Sequence, residues 1–315
     1  MEQTAAQKDS VAVIGGGTMG CDIAAIFYAA GWHAEIMEPN PATCAALQQT
    51  VPAAARLTGI HRPGGSLATC NSIQAIDWST VRLVIECGPE NLEVKQQIFA
   101  ALEQVAPAHV PLTSNSSGIP ISRIGEHCRS RERMLGLHFF MPAHLVPAVE
   151  VVRSEFVNEA SVATVNAIMR AVRKKPVQVK KDVPGFLANR IQHAMMREAI
   201  ALVDEGFASA EDVDLAVRYG FGFRYIAAGP LLQKDLAGID IHCAAAASIY
   251  PHLHNDAQPA RLMQDLVASG NYGVKSPGRR GFYQWDDDRV AREQVRYQVA
   301  LAKAMQILRD EEALE

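Results

Sequence analysis

The stretch MLGLHFFMPAHLVPAVEVV, residues 134–152, sets His138 and Glu150 twelve positions apart inside two short apolar runs. An imidazole with an ordinary pKa near ~6.5 can take a proton from an alcohol at neutral pH. A carboxylate on its other ring nitrogen would fix the tautomer and stabilise the imidazolium that forms. The two runs can pair as a loose antiparallel hairpin. A register centred on His144 sets His138 opposite Glu150, on condition that the long turn with its two prolines allows it. The competing reading is a structural histidine and a surface acid. Val149 and Val151 flank Glu150, however, and a charge in an apolar strand usually has a partner.

A second constellation points to a cofactor. GGGTMG contains Gly15, Gly17 and Gly20 at G-x-G-x-x-G spacing, after the β-branched run VAVIGG and at the head of a helical pattern. In such a turn the first glycine makes the bend, the second lets backbone amides approach a pyrophosphate, and the third lets helix pack on strand. The intervening Gly16, Thr18 and Met19 belong to the same candidate site. Glu38 ends the next strand about 20 residues on, where an acid accepts hydrogen bonds from ribose hydroxyls and repels a 2′-phosphate. NAD is therefore expected over NADP, and with it a hydride transfer.

These groups need a frame, and the N-terminal half supplies the alternation of strand and helix that a mostly parallel sheet requires. Strand signals fall at 11–16, 33–38, 81–88, 110–118, 134–140, 148–152 and 175–179, with a helix at 93–106. After KDVPGF (181–186) the pattern turns helical, at 187–205, 209–218, 229–248, 257–268 and 288–310. The expected fold is α/β: a Rossmann-type domain over 1–184 followed by an all-α domain over 185–315.

Bulk properties exclude other classes. At 49% hydrophobic and 20% charged, the 315-residue chain has the balance of a packed globular protein rather than a disordered one. A net charge of −4 gives no electrostatic case for nucleic acid or an anionic membrane. The six cysteines form no C-x-x-C and no zinc spacing, so no metal site and a reducing, cytoplasmic setting are expected. The polar opening MEQTAAQKDS lacks the apolar core of a signal peptide, and no run approaches the ~18 residues of a membrane span. His252, His254 and Asp256 lie in a proline-bounded loop and read as solvent-facing; His144 and His193 are the other histidines near the candidate site.

GLHFFMPAHLVPAVEVV resembles the signature of the L-3-hydroxyacyl-CoA dehydrogenases, as do GGGTMG, IECGPENLEVKQQIF (85–99), SNSSGI (114–119), KDVPGFLANRI (181–191) and GVKSPGRRGFY (273–283). The resemblance implies His138 as general base and Glu150 as its partner. It implies Asn189 as a group that positions the substrate carbonyl, and Ser117 as a donor to the reacting oxygen beside the nicotinamide. Glu90, Lys95 and Asn115 match cofactor positions, and Lys275 matches a cofactor-contacting lysine. It further implies a homodimer formed by the helical domains, to which the apolar residues of 288–310 (Val290, Val295, Val299, Met305, Leu308) can add, and a role in fatty acid metabolism.

Three departures bear on the substrate. Met141 stands where the family has asparagine at the cofactor–substrate junction, replacing an amide by a thioether that cannot donate. The segment from Glu38 to the 81–88 strand is short and holds no lysine, only Arg56 and Arg62, where CoA-using relatives carry a lysine-bearing helical hairpin. YGFGFRYIAAGPLL (219–232) is more similar to relatives acting on free hydroxy acids, such as the carnitine and gulonate 3-dehydrogenase (lambda-crystallin) branch, with Arg224 as a candidate grip on a carboxylate. The expected function is NAD-dependent oxidation of a 3-hydroxyacyl-CoA to the 3-ketoacyl-CoA, or the reverse; the alternatives are a dehydrogenase of a free 3-hydroxy acid of the carnitine or gulonate kind, and a non-catalytic NAD-binding protein of the crystallin kind.

Overall fold

The computed structural model describes residues 8–312, so most of the polar opening segment lies outside the described residues. The chain divides into two compact units, Met1–Asn189 and Arg190–Glu315.

The first unit is built on one eight-stranded sheet of order β3-β2-β1-β4-β5-β6-β7-β8. The strands are β1 (Ser10–Ile14), β2 (His33–Met37), β3 (Ser66–Cys70), β4 (Val81–Glu86), β5 (Leu112–Ser114), β6 (Met134–Phe139), β7 (Ala148–Val152) and β8 (Lys175–Val179). All neighbours pair in parallel except β6 and β7. The first six strands follow the dinucleotide-binding order, whose crevice opens where the chain direction of winding reverses, between β1 and β4.

Helices α1 (Thr18–Ala29), α2 (Pro41–Leu57), α3 (Leu92–Val105), α4 (Ile121–Ile124) and α5 (Glu159–Ala171) complete the unit. Asn40, Asn91 and Asn158 cap α2, α3 and α5 with their side-chain oxygens. Alternate residues of β1 serve opposite faces of the sheet. Val11 and Val13 pack with Ile23 and Phe27 of α1 and Val165 of α5, while Ala12 and Ile14 pack with Phe99 and Leu102 of α3. Both faces are covered, as an apolar parallel sheet demands.

The second unit holds the C-terminal part of α6 (Ala188–Asp204), then α7 (Ala210–Leu215), α8 (Pro230–Ala237), α9 (Ile239–Ile249), α10 (Arg261–Ala268) and α11 (Asp287–Glu312). The helix expected over 229–248 is two helices, broken at Gly238, whose φ of +100° no helix accommodates. Strand β3 and helix α2 fill the segment between Glu38 and β4, where the sequence reading assigned no element. No helix among the described residues is long and apolar enough to cross a membrane.

Candidate active site

His138 lies on β6 and Glu150 on β7, directly opposite one another in the antiparallel register. That is the register the sequence allowed conditionally. His138 Nδ1 lies 2.7 Å from Glu150 Oε2, with both side chains buried. The other carboxylate oxygen, Oε1, accepts from the backbone amides of Leu187 and Ala188 at 3.0 and 2.8 Å, where α6 begins. Burial pushes the Glu150 carboxyl up, but the His138 bond and the Ala188 and Leu187 amides outweigh it and hold it below the usual carboxylate range. An ionised Glu150 keeps the imidazole proton on Nδ1 and leaves Nε2 as an acceptor. Phe140 packs edge-on to the imidazole with centroids 4.8 Å apart, and buried Phe186 lies 5.6 Å away, so the ring is clamped on its apolar sides.

Ser117 presents its hydroxyl to that free nitrogen, with Oγ 3.1 Å from His138 Nε2. It sits in the turn that follows β5, exposed while the residues around it are tied down. Asn115 accepts from Phe139 N at 2.8 Å through its side-chain oxygen, which fixes the turn to β6 next to His138. Asn189 follows Ala188 in the first turn of α6 and is partly exposed. The linker leading there is pinned by Asp182, whose carboxylate accepts from Ile121 N and Ser122 N at the start of α4.

The glycine turn meets the demands of a dinucleotide site. Gly15 adopts φ +106°, and a Cβ on Gly20 would lie 1.9 Å from the Gly15 carbonyl oxygen. Nothing lies within 4 Å of a Cβ built on Gly17, so the amides at the α1 N-terminus, with exposed Thr18 and partly buried Met19, are open to a pyrophosphate. Glu38 is held beside them: Oε2 accepts from Gly16 N at 2.8 Å and Oε1 from Asn40 N at 2.9 Å. The residues present fit NAD.

Other candidates are set differently. Lys95 is 1% exposed, with Nζ 2.9 Å from both oxygens of the fully buried Glu86 and 3.5 Å from Glu90 Oε2. Met141 is 65% exposed in the turn after β6. Lys275 and Arg224 are exposed residues of the second unit. His144 lies 2.9 Å from Asp22 Oδ2, an oxygen that also accepts from Ala143 N, while Lys174 donates to the Ala143 and Val146 carbonyls. The β6–β7 turn is thus gripped from α1 on one side and from the start of β8 on the other. His254 contacts Glu205 and Asp256 at 3.4 and 3.6 Å, and no group of three or more His, Cys, Asp or Glu that could hold a metal occurs among the described residues.

The sequence reading missed Asp22, Glu86, Ser114, Ser116 and Lys174. Glu86 carried a usable signal, since it ends the apolar run LVIE just as Glu150 sits in AVEVV.

A dinucleotide-type sheet with an open glycine turn and an acid at the end of β2 defines the class as an NAD-dependent oxidoreductase. The chain belongs to the 3-hydroxyacyl-CoA dehydrogenase family: the NAD binding domain of that family matches residues 10–183 and its C-terminal domain residues 185–285. It is 32% identical over 272 residues to 5-formyl-3-hydroxy-2-methylpyridine 4-carboxylate 5-dehydrogenase of Mesorhizobium japonicum, covering 85% of this chain and 88% of that protein. A crystal structure of such a dehydrogenase, described as an NAD+ dependent dismutase, superposes with a TM-score of 0.90 at 30% identity, over 96% of this chain and 99% of that one. The (S)-3-hydroxybutyryl-CoA dehydrogenase of Ralstonia eutropha superposes at 0.71 with 28% identity, over 89% and 100%.

Proposed function

We propose that this protein is an NAD-dependent dehydrogenase of a small free hydroxy or oxo carboxylic acid, with His138 as general base, Glu150 as its orienting partner, and Ser117 and Asn189 as groups that hold the reacting oxygen. The observation that carries the chemistry is the relay from the exposed Ser117 Oγ to the buried His138–Glu150 pair, at 3.1 and 2.7 Å. In the oxidative direction His138 Nε2 takes the hydroxyl proton of the substrate. Glu150 stabilises the imidazolium that results, and two backbone amides hold its charge in place. Ser117 donates to the oxygen as it becomes a carbonyl. NAD, when bound, supplies the hydride acceptor, and Glu38 and the Gly15–Gly20 turn hold its ribose and pyrophosphate. We assign Asn115 to the nicotinamide end and Lys275 to the cofactor as well.

Two observations support the free acid over the thioester. The likeness to the pyridine carboxylate enzyme, TM-score 0.90, exceeds that to the CoA enzyme at 0.71. The segment between Glu38 and β4 holds one α-helix, one strand and a single 3-10 turn (Ile73–Ala75) without a lysine, and so offers only Arg56 and Arg62 to a CoA phosphate. Arg224 is the cation we assign to the substrate carboxylate, with Met141 lining the junction with the cofactor. The thioester reading keeps its own support, since the CoA-dehydrogenase domains match across both units.

A homodimer belongs to the same proposal. Among the described residues from 190 onward only Ala201 and Ser276 are buried in the single chain, while Phe207, Leu231 and Leu236 are more than 70% exposed. Apolar surface of that extent supports an association face. Six free thiols support a reducing, cytoplasmic location.

The deciding experiment follows NADH oxidation with acetoacetate, with acetoacetyl-CoA and with an aromatic aldehyde bearing a ring carboxylate, in parallel. Turnover of either free acid without the thioester supports the proposal. Turnover of the thioester alone sinks the free-acid reading and leaves the dehydrogenase. No turnover of any of them, with NADH still bound, favours the non-catalytic alternative.

A further inference from the structure

We infer that the chain Glu86–Lys95–Glu90 is a positioning device that fixes the 114–119 turn and aims the Ser117 hydroxyl at His138 Nε2. The inference rests on the reading of Ser117 and His138 given above, and it assigns Glu90 and Lys95 to the presentation of Ser117 rather than to direct grip on the cofactor.

The turn is tied at each position except the one that faces the imidazole. Ser114 Oγ donates to Glu86 Oε2 at 2.6 Å and in turn accepts from Ser116 N at 3.2 Å. Asn115 N donates to the Glu86 carbonyl at 2.8 Å, and its side-chain oxygen accepts from Phe139 N. Ser116 Oγ donates to Glu90 Oε1 at 2.6 Å and accepts from Ile119 N at 2.9 Å. Gly118 N donates to the same Glu90 oxygen at 3.2 Å. One carboxylate oxygen therefore brackets Ser117 from both sides, and the Ser117 hydroxyl is left for His138.

Glu90 is held from beneath. Its second oxygen lies 3.5 Å from the Lys95 ammonium, which is itself fully engaged by Glu86 and the Gly88 carbonyl. An ammonium has three protons to donate, and here the protein supplies acceptors for all of them from within a site 1% exposed. Lys95 thus has no proton to offer a ligand while this geometry lasts. Burial pushes the Glu90 carboxyl up, but Ser116, Lys95 and the Gly118 amide hold it below the ordinary range, which keeps the bracket charged at neutral pH. A donor aimed at a developing charge loses its value when it drifts by about an ångström, so rigidity of this turn is a catalytic matter.

A double-mutant cycle on the full protein tests this. The variants are Ser117→Ala, Glu90→Ala, the two together, and Glu90→Gln. The readouts are kcat with acetoacetate or acetoacetyl-CoA, the Kd for NADH by fluorescence, and the 15N shift of His138 Nε2. Ser117→Ala should lower kcat by about a hundredfold. Glu90→Ala should lower it about tenfold or more with NADH Kd held within about threefold, and the double variant should be within about twofold of Ser117→Ala, since coupled groups lose their effect together. Glu90→Gln keeps an oxygen for Ser116 and Gly118 and should recover most of the rate. The His138 Nε2 shift should change alike in Ser117→Ala and Glu90→Ala, a comparison that requires no substrate.

Four results overturn it. Additive losses in the double variant, or a His138 shift untouched by Glu90→Ala, reduce Glu90 to general stability. A weakened NADH Kd with kcat unchanged returns Glu90 to the cofactor. A silent Ser117→Ala, in rate and in shift, removes the underlying reading of Ser117 and takes the inference with it.

Discussion

In the unit that ends at Asn189, Phe27, Phe99 and Leu102 are fully buried between the sheet and its own helices; in the unit from Arg190 on, Leu231, Leu236 and Phe207 stand 82%, 77% and 74% exposed. The first unit closes its core by itself because a parallel sheet has two apolar faces and α1, α2, α3 and α5 cover both. The second is a set of helices whose apolar stripes find few partners within the chain. The difference separates two kinds of stability. The hairpin that carries His138 and Glu150 is locked into a self-sufficient sheet, whereas the helical unit leaves leucine and phenylalanine side chains uncovered in the single chain. The proposed base and its partner stand on the side that closes its own core.

The sharpest way to break this division is to alter the chemistry without the scaffold. His138→Gln should lower turnover by a factor on the order of 10³ while NADH affinity stays within a fewfold. Unchanged turnover would remove His138 as the base. The complementary change alters the scaffold alone: Phe99→Ala in α3 opens a cavity in a closed core and should destabilise the protein by about 3–5 kcal/mol in urea unfolding. A loss under 1 kcal/mol would mean the first unit does not depend on its own packing.

How much of this could be read from residues follows the same division. The glycine turn, Glu38, His138 and Glu150 were legible because each is a polar or small residue out of place in an apolar run, and parallel strands make such runs. The facing of His138 and Glu150 was legible only conditionally, since no spacing rule reports what Asp22 and Lys174 do to the turn at 141–147. Strand β3, SLATC, was missed because it is half-buried throughout and offers one large apolar residue, Leu67. The Glu86–Lys95 pair bridges a loop and so has no fixed sequence period, although Glu86 itself was as conspicuous as Glu150. In the helical unit, periodicity located the helices but passed over Gly238, whose left-handed backbone separates α8 from α9. A reading of residue types also gives no warning that a helical stripe will be left uncovered.

That uncovered surface is the next point of attack. Leu231→Asp with Leu236→Asp puts two charges on α8. If a second copy covers this helix, the double variant should weaken association at least about tenfold in sedimentation, because a buried unpaired charge is strongly disfavoured. It should also make the thermal midpoint less dependent on protein concentration. A wild-type protein that sediments as a monomer would overturn the dimer outright and leave the exposed leucines to another partner.

The smallest expected effect separates the two units by acid. In the first unit Glu103 is pushed up by partial burial, but the Ser130 amide and hydroxyl and the Arg129 amide, at 2.6, 2.8 and 2.7 Å, hold its carboxyl below the ordinary range. In the second unit Glu293 is also held low, first by its hydrogen bond to Arg296, yet that pair is a solvent-exposed contact three residues apart on α11. A carboxylate with a folded pKa below its unfolded value of about 4.3 contributes stability that is complete above that pH and is lost as the pH falls through the folded value. Glu103→Gln should therefore lower the unfolding midpoint at pH 7, and the gap from wild type should close as the pH drops below about 4.3. Glu293→Gln should leave the midpoint unchanged at either pH, because exposed ion pairs contribute little. Equal and pH-dependent losses from both substitutions would show that the helical unit is braced by its surface charges as firmly as the sheet unit is braced by its backbone amides, and the division between them would fail.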